Sequence, residues 1–130
     1  MATLQKIYSD IDFTFTKRPV VNDVALSYDN QAVIRSIRNL LLTNHYERPF
    51  NPVIGSNVRR MLFENVDTII AGQLEKEIKD TIENFEPRAS VINVTAIPSL
   101  VENGYNITLA YMVVNLPNTL TISFFLERIR

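Results

Sequence analysis

Glu47, Glu64 and Glu86 each stand beside a break in the hydrophobic pattern. Two carboxyl groups held about 5 to 9.5 Å apart are what glycoside hydrolysis requires. Their residue type fits that chemistry, but acidic side chains at helix ends and in loops ordinarily cap or solvate, and no further motif joins the three. His45 is the only histidine, which excludes a histidine metal cluster. A Ser-His-Asp triad would have to pass through this one loop residue, with no partner signature around it, so a bystander role fits His45 better. Gly55, Gly72 and Gly104 are isolated and build no phosphate-cradling loop. The absence of cysteine removes thiolate metal sites and disulfides. The expectation is no catalytic residue, no metal and no cofactor.

A different arrangement has more to offer. Glu86-Pro87-Arg88 follows a long amphipathic pattern and precedes an alternating one, so two opposite charges flank a proline at a helix-to-strand corner. They could pair with each other or with nearby loops, for which a surface value of about 0 to 1 kcal/mol is normal. They could equally project as a rigid pair toward a partner. Arginine offers a fork of donors, and a proline neighbour lowers the cost of ordering it.

The elements that position this corner are legible by period. Val66, Ile69, Ile70, Leu74, Ile78, Ile82 and Phe85 keep helical spacing from Asn65 onward, while Glu75, Lys76, Glu77, Lys79, Asp80 and Glu83 fill the water-facing side. Pro87 ends that helix near Phe85. Upstream, Asp29 is placed to cap a helix carrying Val33, Ile34, Ile37, Leu40 and Leu41, with Tyr28 and Val33 as a staple, and it should end near Thr43-Asn44. His45 to Gly55 is a structured loop, and Ser56 is placed to cap a short helix through Val58 and Leu62. Ile11, Phe13 and Phe15 alternate as a short strand stopped by Lys17-Arg18-Pro19, and Val24, Leu26 and Tyr28 alternate again.

Beyond the corner the period is two. Ile92, Val94 and Ala96 form a first strand ending at Pro98-Ser99. Tyr105, Ile107, Leu109, Tyr111 and Val113 form the second, and Leu120, Ile122, Phe124 and Leu126 the third. Asn103-Gly104 and Pro117-Asn118 join them as a meander. The fold class is α+β, with amphipathic helices on a three-stranded antiparallel sheet and an extra N-terminal strand as an option. A single domain over 1–130 is expected, with 1–28 as an extended N-terminal segment. Such a sheet leaves two edges open unless something covers them, and an open edge accepts a strand from another chain.

Composition bounds the partners. A 130-residue chain with 46% hydrophobic and 21% charged residues is ordinary for one soluble core. A net charge of -1 gives no general attraction to nucleic acid or to an anionic membrane. The apolar runs are too short to span a bilayer. No charged leader precedes an apolar run, so folding inside the cell is expected.

Several motifs together carry a family likeness: Leu42-Thr43, Glu47-Arg48-Pro49-Phe50, Asn51-Pro52, Gly55-Ser56, Arg59-Arg60-Met61-Leu62-Phe63-Glu64 and the Glu86-Pro87-Arg88 corner. From about Asp29 to Leu126 the chain resembles the baseplate wedge protein, or sheath initiator, of contractile-tailed phages, and is similar to a baseplate component of type VI secretion systems. Many relatives carry glycine where this chain has Tyr46. The resemblance implies a structural protein of the virion tail baseplate, assembled in the host cytoplasm, whose partners are larger wedge subunits and the tail sheath subunit, with no nucleic acid and no membrane. It implies that Glu86, Pro87 and Arg88 bind the wedge bundle. It also implies that the Val91 to Leu126 sheet receives sheath arms by strand addition, for which Thr119, Thr121 and Ser123 leave the last strand unprotected. Two alternatives stand beside it: a glycan-hydrolysing tail lysozyme, and an anti-adaptor-like regulatory binding module on a distant branch of the same fold.

Overall fold

The computed structural model describes residues 8–12, 14–18, 23 and 26–130, with the backbone alone over 26–28. In chain order the elements are β1 (Ser9–Ile11), β2 (Leu26–Tyr28), α1 (Asp29–Leu42), α2 (Val58–Met61), α3 (Thr68–Phe85), β3 (Ala89–Ser99), β4 (Gly104–Val113) and β5 (Thr119–Glu127). β3, β4 and β5 form an antiparallel meander in that order. β1 and β2 pair antiparallel as a separate ribbon, with Ser9 opposite Tyr28 and Ile11 opposite Leu26. The α+β class is as expected.

β4 is the centre of the packing. Tyr105, Ile107, Leu109, Tyr111 and Val113, the alternate residues of one face, are all buried. Leu74, Ile78 and Ile82 of α3 and Val33, Ile37 and Leu41 of α1 belong to the same core. Burying each such aliphatic side chain is worth about 1.5 to 3 kcal/mol, so this face holds the layers together. Its tyrosines also fix the helix starts. The Tyr105 hydroxyl accepts from the Asp67 N–H at 3.1 Å and donates to the Asn65 carbonyl at 3.3 Å, just before α3. The Tyr111 hydroxyl donates to Asn30 Oδ1 at 2.7 Å, in the first turn of α1.

Five local expectations are corrected. α3 begins at Thr68 rather than Asn65, because Asp67 is its N-cap and accepts from the Thr68 N–H. Ile69 is 68% exposed, since five residues before Leu74 amounts to a rotation about 140° off the buried stripe. Ser56 does not cap α2. The N-cap is Asn57, and Ser56 Oγ instead donates to the Leu41 carbonyl at 2.8 Å. Ile92 is exposed because β3 carries a bulge between Val91 and Asn93, which lets Ala89 and Val94 be buried despite opposite parity. The first strand runs over Ser9–Ile11 and stops at Asp12, whose Oδ1 accepts from the Thr14 N–H at 3.0 Å in a local turn. Phe13, Val24 and the Tyr28 side chain of the expected staple lie outside the described residues.

Candidate functional site

The corner forms where α3 runs out of donors. The Glu86 N–H makes the last helical bond, to the Ile82 carbonyl at 2.9 Å, and Pro87 has none to offer. The chain then turns so that Glu86 points inward, 3% exposed, while Pro87 stays in solvent. Arg88 closes on the glutamate as a fork, Nε to Oε1 at 2.7 Å and Nη2 to Oε2 at 3.0 Å. Ser36 of α1 donates its hydroxyl to Oε2 from the other side. Burial by itself pushes the Glu86 carboxyl up, but the bonds from Arg88 and Ser36 and the Arg88 charge outweigh it and hold the group below the usual carboxylate range.

Arg88 is fixed from several directions. Its guanidinium lies 5.8 Å from the centroid of the Tyr8 ring, and its carbonyl accepts from the Val114 N–H at 2.8 Å. The Tyr8 hydroxyl donates to the Val114 carbonyl at 2.9 Å, so the start of the described chain is pinned beside the corner. The charges therefore pair with each other, as one of the two readings held, but not as a surface bridge. The outward face of the corner is Pro87 and the flank of Arg88, whose side chain is 25% exposed.

The sheet's two edges differ. On β3 the Ala96 N–H turns away from β4 and donates to Glu75 Oε1 of α3 at 2.8 Å. Alternation then sends the Pro98 position outward too, where there is no N–H at all. Nearer the corner, the Ala89 N–H is taken by the Glu86 carbonyl at 3.2 Å. The same alternation carries across the meander. Ala96 faces outward, so its neighbour Ile107 bonds toward Phe124 of β5, and the Thr119, Thr121, Ser123 and Phe125 backbones turn to the open side. Among the described residues no strand pairs there. Beside β5 runs a groove of about 530 Å³, walled by Ile34, Ile37 and Leu41 of α1 and by Ile122 and Phe124.

The remaining candidates sit in the loops on either side of α2. Glu47 Oε2 accepts from the Asn44 N–H at 2.8 Å, a loop-closing bond. His45 Nδ1 lies 3.0 Å from the Val53 carbonyl, and Glu64 is exposed. No hydrogen bond or ion pair joins Glu47, Glu64 and Glu86 among the described residues. Tyr46 takes φ +68, the left-handed region, at a cost on the order of 1 to 3 kcal/mol for a bulky residue. Gly55 is required where it is: a Cβ there would stand 2.6 Å from the Asn44 carbonyl carbon.

Pattern reading missed Glu75 and Glu77, which it assigned to the solvent face. Glu75 takes the outward Ala96 N–H of β3, and Glu77 Oε1 accepts from the Asn57 N–H at 2.9 Å, pinning the start of α2. Nothing in the helical period separates these two from Lys79 or Glu83. Ser36 was equally unmarked, being one small polar residue on an amphipathic helix.

Among the described residues no group of His, Asp and Glu could hold a metal, and no helix is long and apolar enough to cross a membrane. Residues 27–118 match the family described as baseplate wedge protein gp25. The chain is 30% identical over 118 residues to the baseplate wedge protein gp25 of Enterobacteria phage T4, covering 91% of this chain and 89% of that one. Among solved structures it is similar to a Geobacter sulfurreducens protein described as a tail lysozyme, with TM-score 0.74 and 26% identity over 82% of this chain and 97% of the other. A chain of the anti-feeding prophage baseplate shares the fold, with TM-score 0.72 and 23% identity, covering 85% of this chain and 89% of that one.

Proposed function

The chain belongs to the baseplate wedge protein gp25 family, which makes it a structural component of the contractile tail's baseplate, and from that premise we propose two contacts that it makes there. The Glu86-Pro87-Arg88 corner grips the larger wedge subunits. The open edge of β5, through Thr119, Thr121 and Ser123, accepts a strand from a sheath subunit and so starts the sheath. The observation that carries this reading is the asymmetry of the sheet, blocked on β3 at Ala89, Ala96 and Pro98 and unblocked along β5 among the described residues. The groove under α1 is where alternate apolar side chains of a donated strand would rest.

Proline substitution tests it. Thr121→Pro and Ser123→Pro each remove an N–H that faces outward, so both should fold and both should yield baseplates without sheath in the electron microscope. Ile122→Pro removes an N–H bonded toward Leu109 and should damage the fold, which checks the assigned alternation. Normal sheath on folded Thr121→Pro and Ser123→Pro baseplates would overturn strand addition at β5.

A hydrolase is the second reading, because of the 26% identity to a protein described as a tail lysozyme. The geometry favours a non-enzymatic role. A general acid needs its pKa raised, whereas Glu86 is held low and locked to Arg88. Saturable peptidoglycan cleavage that disappears in Glu47→Gln, Glu64→Gln or Glu86→Gln would establish the hydrolase instead.

A further inference from the structure

The loop between α1 and α2 spends conformational strain to show an aromatic ring to water. Tyr46 is 84% exposed at φ +68, a position where glycine would sit unstrained. The backbone around it is tied down: the Tyr46 N–H donates to the Pro52 carbonyl at 2.8 Å, and the Ser56 N–H to the Thr43 carbonyl at 2.9 Å. Phe50, Val53 and Phe63 are exposed as well. Tyr46, Val53 and Phe63 line an open cleft of about 820 Å³ together with Arg59 and Arg60. Rigid exposed aromatics beside arginines are the composition of a protein-binding hot spot.

Charge narrows the occupant. Arg48, Arg59 and Arg60 are exposed, and no carboxylate of the described residues pairs with them. Two nearby acids are engaged, Glu47 by the Asn44 N–H and Glu77 by the Asn57 N–H, and exposed Glu64 and Glu127 make no ion pair with the arginines among the described residues. An arginine fork matches a carboxylate, and the Tyr46, Pro52, Val53 and Phe63 part of the mixed cleft lining takes an apolar side chain. We infer that the Tyr46–Phe63 face is a third contact surface, which docks an acidic segment of another tail protein with an apolar anchor in the cleft. It does not include the corner, and it borders β5 only at Arg59, which shares a small cavity with Phe125, Leu126 and Glu127.

The experiment places the photo-crosslinking residue benzoylphenylalanine at Phe50 in assembled tail particles. The expected result is a crosslink to one segment of a different tail protein, richer in Asp and Glu than in Lys and Arg, and lost in the Arg59→Glu/Arg60→Glu variant. A synthetic peptide of that segment should bind Tyr46→Gly at least tenfold more weakly than the parent protein, while the melting temperature of Tyr46→Gly stays level or rises. A merely structural tyrosine would move the melting temperature and leave binding unchanged. No crosslink, a crosslink to a second copy of this chain, to nucleic acid or to a neutral or basic segment, or undiminished binding by Tyr46→Gly would each overturn the inference.

Discussion

Arg88 holds Glu86 by two parallel hydrogen bonds across a single proline, and the glutamate so held is among the few buried polar side chains described. The pair is thus part of the fold before it is part of any interface. Removing one member strands the other, which changes how the corner has to be tested.

Arg88→Ala should destabilise the protein by about 2 to 3 kcal/mol, below the upper range for a broken buried pair because the guanidinium keeps a solvated flank. Arg88→Lys keeps a charge beside Glu86 and should remain folded while losing the fork and its hold on the wedge subunits. Urea melts and co-purification of both variants check this. Wild-type co-purification by a folded Arg88→Lys would argue against the corner as the wedge contact.

Acid should loosen the same corner. The Glu86 carboxyl is held below its ordinary value near 4.5, so its stabilising effect is complete above that pH and is lost as pH falls through the lower folded value. Stability from urea melts between pH 6 and 2 should fall over the acid end, and Glu86→Gln should flatten that part of the curve.

Base should act through Tyr111, whose burial pushes its hydroxyl from 10.0 up to about 12. The unfolded chain ionises first, so the contribution is complete below pH 10 and disappears as pH climbs to about 12. Tyr111→Phe should cost about 1 kcal/mol at neutral pH, by freeing Asn30 Oδ1, and should remove this part of the alkaline loss. Thermal unfolding from pH 8 to 12 reads both effects.

Two glycines should respond oppositely to alanine. Gly72 lies exposed in α3 with open space around its Cα, so Gly72→Ala should stabilise by about 0.5 to 1 kcal/mol. At Gly104 a Cβ would meet the Leu126 carbonyl oxygen of β5, so Gly104→Ala should cost about 1 to 3 kcal/mol as the strand shifts. Midpoint shifts in urea distinguish the signs.

The legibility of the fold follows from where each signal lives. Tyr105 through Val113 could be read because a two-residue period survives wherever one face is buried, and α3 because its stripe repeats over several turns. Ile69 was misplaced because it lies five residues before Leu74 and so off the buried stripe, and Ile92 because a bulge shifts the strand phase by a residue, which no average over a window registers. The corner was visible as a proline between charges. That Glu86 turns inward depends on Ser36, fifty positions earlier, and long-range pairing of that kind leaves no local trace. Glu75 was hidden for the same reason: its partner is a backbone N–H, which has no letter in the sequence.

The partly blocked margin of β3 makes the two sides of the sheet unequal. A sheet with both margins free can be a middle link, receiving a neighbour on each side and passing pairing through itself without end. With the Ala96 N–H held by Glu75 and no N–H at Pro98, strand addition at that end of β3 is hindered, and β5 is the more accessible margin. Stacking of copies into a continuous ribbon needs a second free margin on each copy, and the blocked positions of β3 work against it. Pro98 and Glu75 thereby act against self-association of the sheet.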